Sequence, residues 1–478
     1  MIERLWKYQK TPIALAIVSL VTYYLFAFQL ERANTALLLS LYSILFACFY
    51  FIVSKGKNDF SLLLVFAVAL RLIFIPVIPN LSQDFYRFIW DGRMFTQGLN
   101  PYLTTPQSYI EAGNLQIVAQ ARQLYEGMGA LNGSHFTNYP PVNQLIFAIA
   151  GLFSGNSIIG AAIVFRTTII LADVGIIIYG KKLLQKLGLP IHNIFWYGLN
   201  PFIIIEMTGN LHFESVMLFF VVLSLYLLAQ GKWILSAVMI ALSISTKLLP
   251  LLFLPLFMQY FLTRGDRKTT HFRSSYPWKV RFREITKNLP RLVYFYLIVI
   301  GVVILTFLPF LTNEFAENFG ASIALWFKKF EFNASVYYII RYIGYQTIGW
   351  NIIGDVGPLL PKIVLGFLIV MAFFRNNRSL QATITAILIS ISFYFLMSTT
   401  VHPWYVATPL LLCVFTRYRF PLVWSATVML SYAAYGANGF NENLWLVAIE
   451  YIIVIVFFIW EVYRPSKVTI VAKTAIES

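Results

Sequence analysis

Charge is scarce in this sequence. Only 12% of its 478 residues are Asp, Glu, Lys or Arg, about half the ~25% of a soluble globular domain. So few charges could not cover a water-facing surface on a chain this long. A soluble enzyme, a secreted scaffold and a disordered protein are therefore excluded. Cysteine is scarcer still: Cys48 and Cys413 stand far apart, each inside an apolar block. Neither a disulfide framework nor a Cys-type metal site can be built from them. A glycine-rich nucleotide loop is missing as well, and no internal repeat of the inverted-repeat transporter kind is evident.

Apolar and aromatic residues fill the space. The chain is 59% hydrophobic and 17% aromatic, and its apolar blocks run roughly 17 to 22 residues, near the ~20 a helix needs to cross a bilayer. The predicted fold is an all-α polytopic membrane protein, a single integral domain over 1–478. Block 11–29 follows a short basic start and is too long for a signal-peptide core; it reads as a span leaving the cytoplasm. Block 34–53 returns to Lys55 and Lys57, and block 60–79 leads out again, placing 80–156 on the outer face.

Segment 142–154 is apolar but short. If it crossed, block 157–179 would carry Lys181, Lys182 and Lys186 outside, against the positive-inside rule. It is expected to lie in the outer interface. Further spans at about 191–208, 212–230, 232–247, 248–263, 290–311, 358–374, 380–397, 403–416, 420–436 and 444–462 bring the expectation to fourteen, within a range of 12–14, both termini cytoplasmic. The net charge of +16 then has a topogenic reading. Loop 264–291 alone holds nine Lys and Arg residues, as expected of a cytoplasmic loop beside anionic headgroups, and nucleic acid is not needed as a partner. The sizeable outer segments are 80–156 and 312–357, and that face is acidic.

The polar chemistry concentrates there. Asp84, Arg87 and Asp91 recur at i, i+3 and i+7, so they share one face of a helix that Gly98 and Asn100-Pro101 end. Such a stripe suits acid/base work on a polar substrate, or a salt-bridged interfacial face. Tyr139-Pro140-Pro141 leads into 142–154. His212 and Glu214 follow Gly209-Asn210 at an outer turn, Lys247 ends a span in Thr-Lys-Leu-Leu-Pro, and His402 precedes Pro403-Trp404. Arg71 and Arg166 lie inside spans, where a cation needs a partner or a wet cavity. Asp173, seven residues beyond Arg166, is the expected partner of that arginine; Arg71 is expected to snorkel or pair.

Taken in order, Asp84-x-x-Arg87-x-x-x-Asp91-Gly92, Gly98-x-Asn100-Pro101-Tyr102, Tyr139-Pro140-Pro141, Gly209-Asn210-x-His212, Thr246-Lys247, Phe332-Asn333 and His402-Pro403-Trp404 resemble the motifs of GT-C membrane glycosyltransferases. The likeness is to bacterial members that take a sugar, commonly mannose, from a polyprenyl-phosphate carrier. The resemblance implies that Asp84 is the catalytic base, with Asp91 and Glu214 as further candidate catalytic acids. By their places at the outer ends of spans, Lys247 and His402 are expected to receive the donor phosphate, and Arg87, His212, Tyr139, Asn210 and Arg166 complete the expected substrate site. A lipid phosphate leaves as an anion, so one base plus cations would suffice for a single inverting displacement. No cofactor is expected, although Glu214 could help hold a divalent cation. The expected partners are a polyprenyl-phosphate sugar, a glycan or glycolipid acceptor and the bilayer. The expected location is a cell membrane, of a bacterium by preference, with the site facing out.

Two other readings compete. A transporter or lipid-linked-sugar flippase would distribute charges through its spans, whereas here they are few. An oligosaccharide polymerase or ligase would lean on a large outer loop with Arg and His motifs instead of a first-loop Asp.

Overall fold

A computed structural model describes residues 2–263, 278–328, 330–436 and 439–464. Helices dominate, and the strands among the described residues are the two-residue pair Tyr435–Gly436 and Gly439–Phe440. The helix starts follow from side chains that satisfy free backbone donors. Asn34 accepts from the Leu37 N–H before Thr35–Gly56, Asp59 from Leu62 before Phe60–Leu72, and Ser157 from Gly160 before Ile158–Leu187. The last of these ends at Gly188, whose φ of +69° closes the final turn.

Seven described helices are long and apolar enough to cross a membrane: Gln9–Phe28, Thr35–Gly56, Ile158–Leu187, Thr286–Phe310, Ile353–Phe373, Leu380–Met397 and Leu444–Tyr463. Pro201–Gly209 and Glu214–Ala229, bent by 117°, make an eighth if they act as one broken span. Five other segments drawn as spans are apolar helices of 10–17 residues, so the expectation of fourteen rests on short or interrupted pieces. Segment 191–208 is not one helix. A 3₁₀ turn, a short α turn and a break before Pro201 lead into a π-helical turn, Ile204–Gly209. Of the basic loop 264–291, residues 264–277 lie outside the described residues.

Segment 142–154 forms Pro141–Ser154, about 21 Å long at 1.5 Å per residue and short of a ~30 Å hydrocarbon core. Leu145, Leu152 and Phe153 face outward. Its other side packs on Asp84–Thr96, which is buried almost all round, where the sequence suggested an interfacial helix with one polar face. The crossing depends on two glycines. A Cβ at Gly92 would stand 2.1 Å from the Phe147 carbonyl oxygen, and one at Gly151 would stand 2.9 Å from the Gly92 oxygen. Beside them the Phe88 and Phe147 rings stack at 4.7 Å. Gly92→Ala is expected to cost about 1–3 kcal/mol through overpacking. Gly301→Ala, on a helix with open space around that position, is expected to be neutral or stabilising. Thermal melting of the two variants in detergent compares them, and equal melting points would refute the close-packing argument.

Candidate active site

The motifs of segment 80–156 and of the Ser245-Thr246-Lys247 turn converge because each holds the next. Tyr102 donates from its hydroxyl to the Tyr139 carbonyl at 2.6 Å, and Asn100 Nδ2 donates to the Phe310 carbonyl at 3.2 Å. Beyond Tyr139-Pro140-Pro141, the Val142 N–H donates to the Ser245 carbonyl at 2.9 Å and Asn143 Nδ2 to the Thr246 carbonyl at 2.9 Å. These two bonds fix the backbone immediately before Lys247. The Lys247 ammonium in turn pairs with the buried Glu214 carboxylate. Lys247 thus has the acidic partner that its sequence neighbours did not supply.

Asp84 opens the helix Asp84–Thr96, and its N–H donates to Ser82 Oγ at 3.3 Å. The carboxyl is half-buried, and burial raises its pKa to about 6, against the pull of nearby Lys247 and Arg32 and with a push from Glu214. Tyr139 and Tyr405 also feel the Asp84 charge. Around Asp84, a set of half-buried residues (Arg32, Tyr139, Lys247, His402, Trp404, Tyr405 and Tyr435) stands among fully buried neighbours, the exposure pattern of a cleft wall. Trp404 is layered between two imidazoles, with ring centroids 3.7 Å from His212 and 4.5 Å from His402. Burial, with Lys247 and Arg32 close by, pushes His402 down to about 3. It is therefore neutral at physiological pH and can act as a single N–H donor.

Other sequence candidates are engaged elsewhere. Arg87 Nε pairs with Asp91 at 2.9 Å, and Arg87 Nη1 donates to the Asn132 and His135 carbonyls. Asp91 is fully buried and also accepts from Gln144 Nε2 at 3.1 Å. The predicted shared stripe of Asp84, Arg87 and Asp91 is thus divided: Arg87 and Asp91 brace the loop, and Asp84 lines the cleft. Asn210 Nδ2 donates to Glu206 Oε2 at 3.3 Å, and His212 Nε2 lies 3.7 Å from the same carboxylate.

Arg166 does not pair with Asp173. Its three nitrogens donate to the Thr208, Ile75 and Gly209 carbonyls at 2.8, 3.0 and 3.2 Å. Two of these carbonyls belong to the end of the π-helical turn, which leaves acceptors that a guanidinium can satisfy inside an apolar region. Arg166 therefore stabilises the helix break that presents His212 and Glu214, and it is not free to hold a phosphate. Asp173 instead pairs with Arg71 at 2.8 Å and accepts from the Tyr197 hydroxyl at 3.2 Å.

Sequence reading missed two residues of this region. Arg32 sits in the short turn between the first two helices and places its guanidinium 3.5 Å from the Tyr435 ring centroid. The signal available was a basic residue in a tight turn on an otherwise acidic face. Glu206 is fully buried and accepts from the Tyr432 hydroxyl at 2.8 Å; an acid inside an apolar run was its only signal. Among the described residues, no three His, Cys, Asp or Glu side chains gather as metal ligands would.

The arrangement provides a half-exposed carboxylate, a cation fixed beside it and aromatic walls. Comparison with known proteins agrees with this chemistry. Residues 20–263, just over half of the chain, match the family described as alpha-(1->6)-mannopyranosyltransferase, N-terminal domain. Alpha-(1->6)-mannopyranosyltransferase A of Corynebacterium glutamicum is 24% identical over 200 residues, 40% of this chain and 36% of the relative. Its Mycobacterium tuberculosis namesake is 22% identical over 172 residues, 36% of this chain and 31% of the relative. Alpha-(1->6)-mannopyranosyltransferase B of C. glutamicum is 25% identical over 157 residues, 32% of this chain and 24% of the relative. The matched stretches span about a third or less of these relatives' own lengths. Because the family match covers the Asp84 loop, the helix break at Gly209-Asn210 and the Lys247 segment together, this membrane protein belongs to the alpha-(1->6)-mannopyranosyltransferase family.

Proposed function

We propose that this protein is a glycosyltransferase that moves mannose from a polyprenyl-phosphate donor to a glycan or glycolipid acceptor at the outer face of a cell membrane, forming an α-(1→6) bond. The observation that carries the reading is the half-buried Asp84 carboxylate held in reach of the Lys247 charge, in a chain whose relatives are named mannopyranosyltransferases. The chemistry balances with these groups alone. Asp84 accepts the proton of the acceptor hydroxyl as its oxygen attacks the anomeric carbon. The bond from that carbon to the phosphate oxygen breaks, and polyprenyl phosphate leaves as an anion. Lys247 and neutral His402 stabilise the charge growing on that phosphate. Arg87 and Asp91 hold the loop that carries Asp84, and Asn210 and Arg166 hold the break that carries His212 and Glu214. Tyr139 stands where a sugar can contact it, and Trp404, stacked on both faces, holds the His212 and His402 imidazoles in place.

The direct test is transfer of radiolabelled mannose from polyprenyl-phosphate-mannose by the purified protein in lipid. No transfer from mannose, glucose or arabinose donors would overturn the reading. The pH profile gives a second check. A base whose pKa is raised to about 6 is protonated below that pH and cannot accept the hydroxyl proton. Transfer kcat/KM is therefore expected to fall about tenfold per unit below pH ~6 and to level off above it. An acid limb near 4, the ordinary carboxylate range, would mean that the base does not have the raised pKa that burial gives Asp84.

A further inference from the structure

We infer that Arg32, supplied by the N-terminal helical hairpin, is a second donor-phosphate ligand beside Asp84 and His402; the inference rests on the lipid-phosphate donor proposed above. Lys247 is already paired with Glu214, so part of its charge is offset, and a second cation adds to what it supplies to a departing phosphate. Arg32 is in a different state. None of the ion pairs among the described residues includes it, and its Nε is buried without a hydrogen-bond partner. A guanidinium with a buried, unused donor on a cleft wall is a site for an oxyanion, which it can meet with two parallel N–H groups.

Its position is built on both sides. Asn80 Nδ2 donates to the Phe26 and Leu30 carbonyls at 2.9 and 3.1 Å. That tie joins the Arg32 turn to the strand of chain that reaches Asp84 four residues later. On the other side the Tyr435 ring carries the guanidinium at 3.5 Å. Tyr435 packs on Phe332 at 6.0 Å, and Phe332 stacks on His402 at 5.3 Å, so one aromatic run connects Arg32 to the imidazole beside Lys247. The electrostatics agree: the Arg32 charge acts on both Asp84 and His402.

Binding of undecaprenyl phosphate and of undecaprenol to the full chain in nanodiscs tests this. Arg32→Gln is expected to weaken undecaprenyl phosphate binding about 10- to 100-fold, the range of one or two charge-assisted hydrogen bonds, while undecaprenol binding stays unchanged. Arg32→Lys should recover part of the loss, and Tyr435→Leu should reproduce part of it. A merely structural role would weaken both lipids together. Undecaprenyl phosphate binding by Arg32→Gln within twofold of wild type would overturn this inference and leave the donor reading standing. Failure of the wild type to bind undecaprenyl phosphate would overturn both.

Discussion

Asp84→Asn is expected to lower mannosyl transfer by about 10²- to 10⁴-fold, the range for losing a positioned general base, with donor binding retained. The amide keeps the shape of the carboxylate but cannot accept the acceptor's proton. Stability should not fall. Burial raises the carboxyl to about 6, so above that pH the folded chain carries an ionised carboxylate at a cost to stability, and a neutral side chain removes that cost. The measurement is radiolabelled transfer at matched expression, alongside undecaprenyl phosphate binding and a melting curve. Unchanged transfer would shift attention to Glu214, which faces the same Lys247. Loss of transfer together with loss of donor binding would mean that Asp84 organises the cleft and does not act on the hydroxyl.

Removing Arg71 is expected to have the largest effect on folding. Its Nε pairs with Asp173, and its Nη1 donates to the Ala67 and Gly198 carbonyls at 2.8 and 2.7 Å, with both charged side chains almost wholly buried. Arg71→Met leaves the Asp173 charge without its cation inside the helix bundle, which costs about 3–5 kcal/mol for a buried pair. Asp173→Asn added to Arg71→Met removes the stranded charge, so the double variant should be more stable than Arg71→Met alone. Such non-additivity is the mark of direct coupling. Thermal or denaturant unfolding in detergent measures it, and strictly additive losses would show that the two side chains act independently.

Much of the architecture was legible because composition and periodicity act locally. Apolar length identified the helices long and apolar enough to cross a membrane, and Lys181, Lys182 and Lys186 argued that 142–154 does not cross; its helix has fourteen residues. Helix stops such as Gly98, at φ +73°, follow from one residue's backbone freedom. The segment 191–208 misled because an apolar run does not reveal where its hydrogen bonds break; the break is held by Arg166, which comes from another helix. The site divided in the same way. Asp84, Lys247 and His402 stood out as polar residues at the ends of apolar blocks, whereas helical spacing alone grouped Arg87 and Asp91 with Asp84.

The sequence by itself determined that this is an all-helical membrane protein with its polar chemistry gathered in the segments between apolar blocks, and it pointed to the family. Those properties depend on which residues neighbour one another along the chain. Only the tertiary structure decided the partners: Arg71 and not Arg166 for Asp173, Glu214 for Lys247, and Arg32 on Tyr435 beside the cleft. These pairs are separated by 33 to more than 400 positions. In a low-dielectric interior a buried charge must find a partner wherever the fold places one, and that choice is made by packing, which no local pattern encodes.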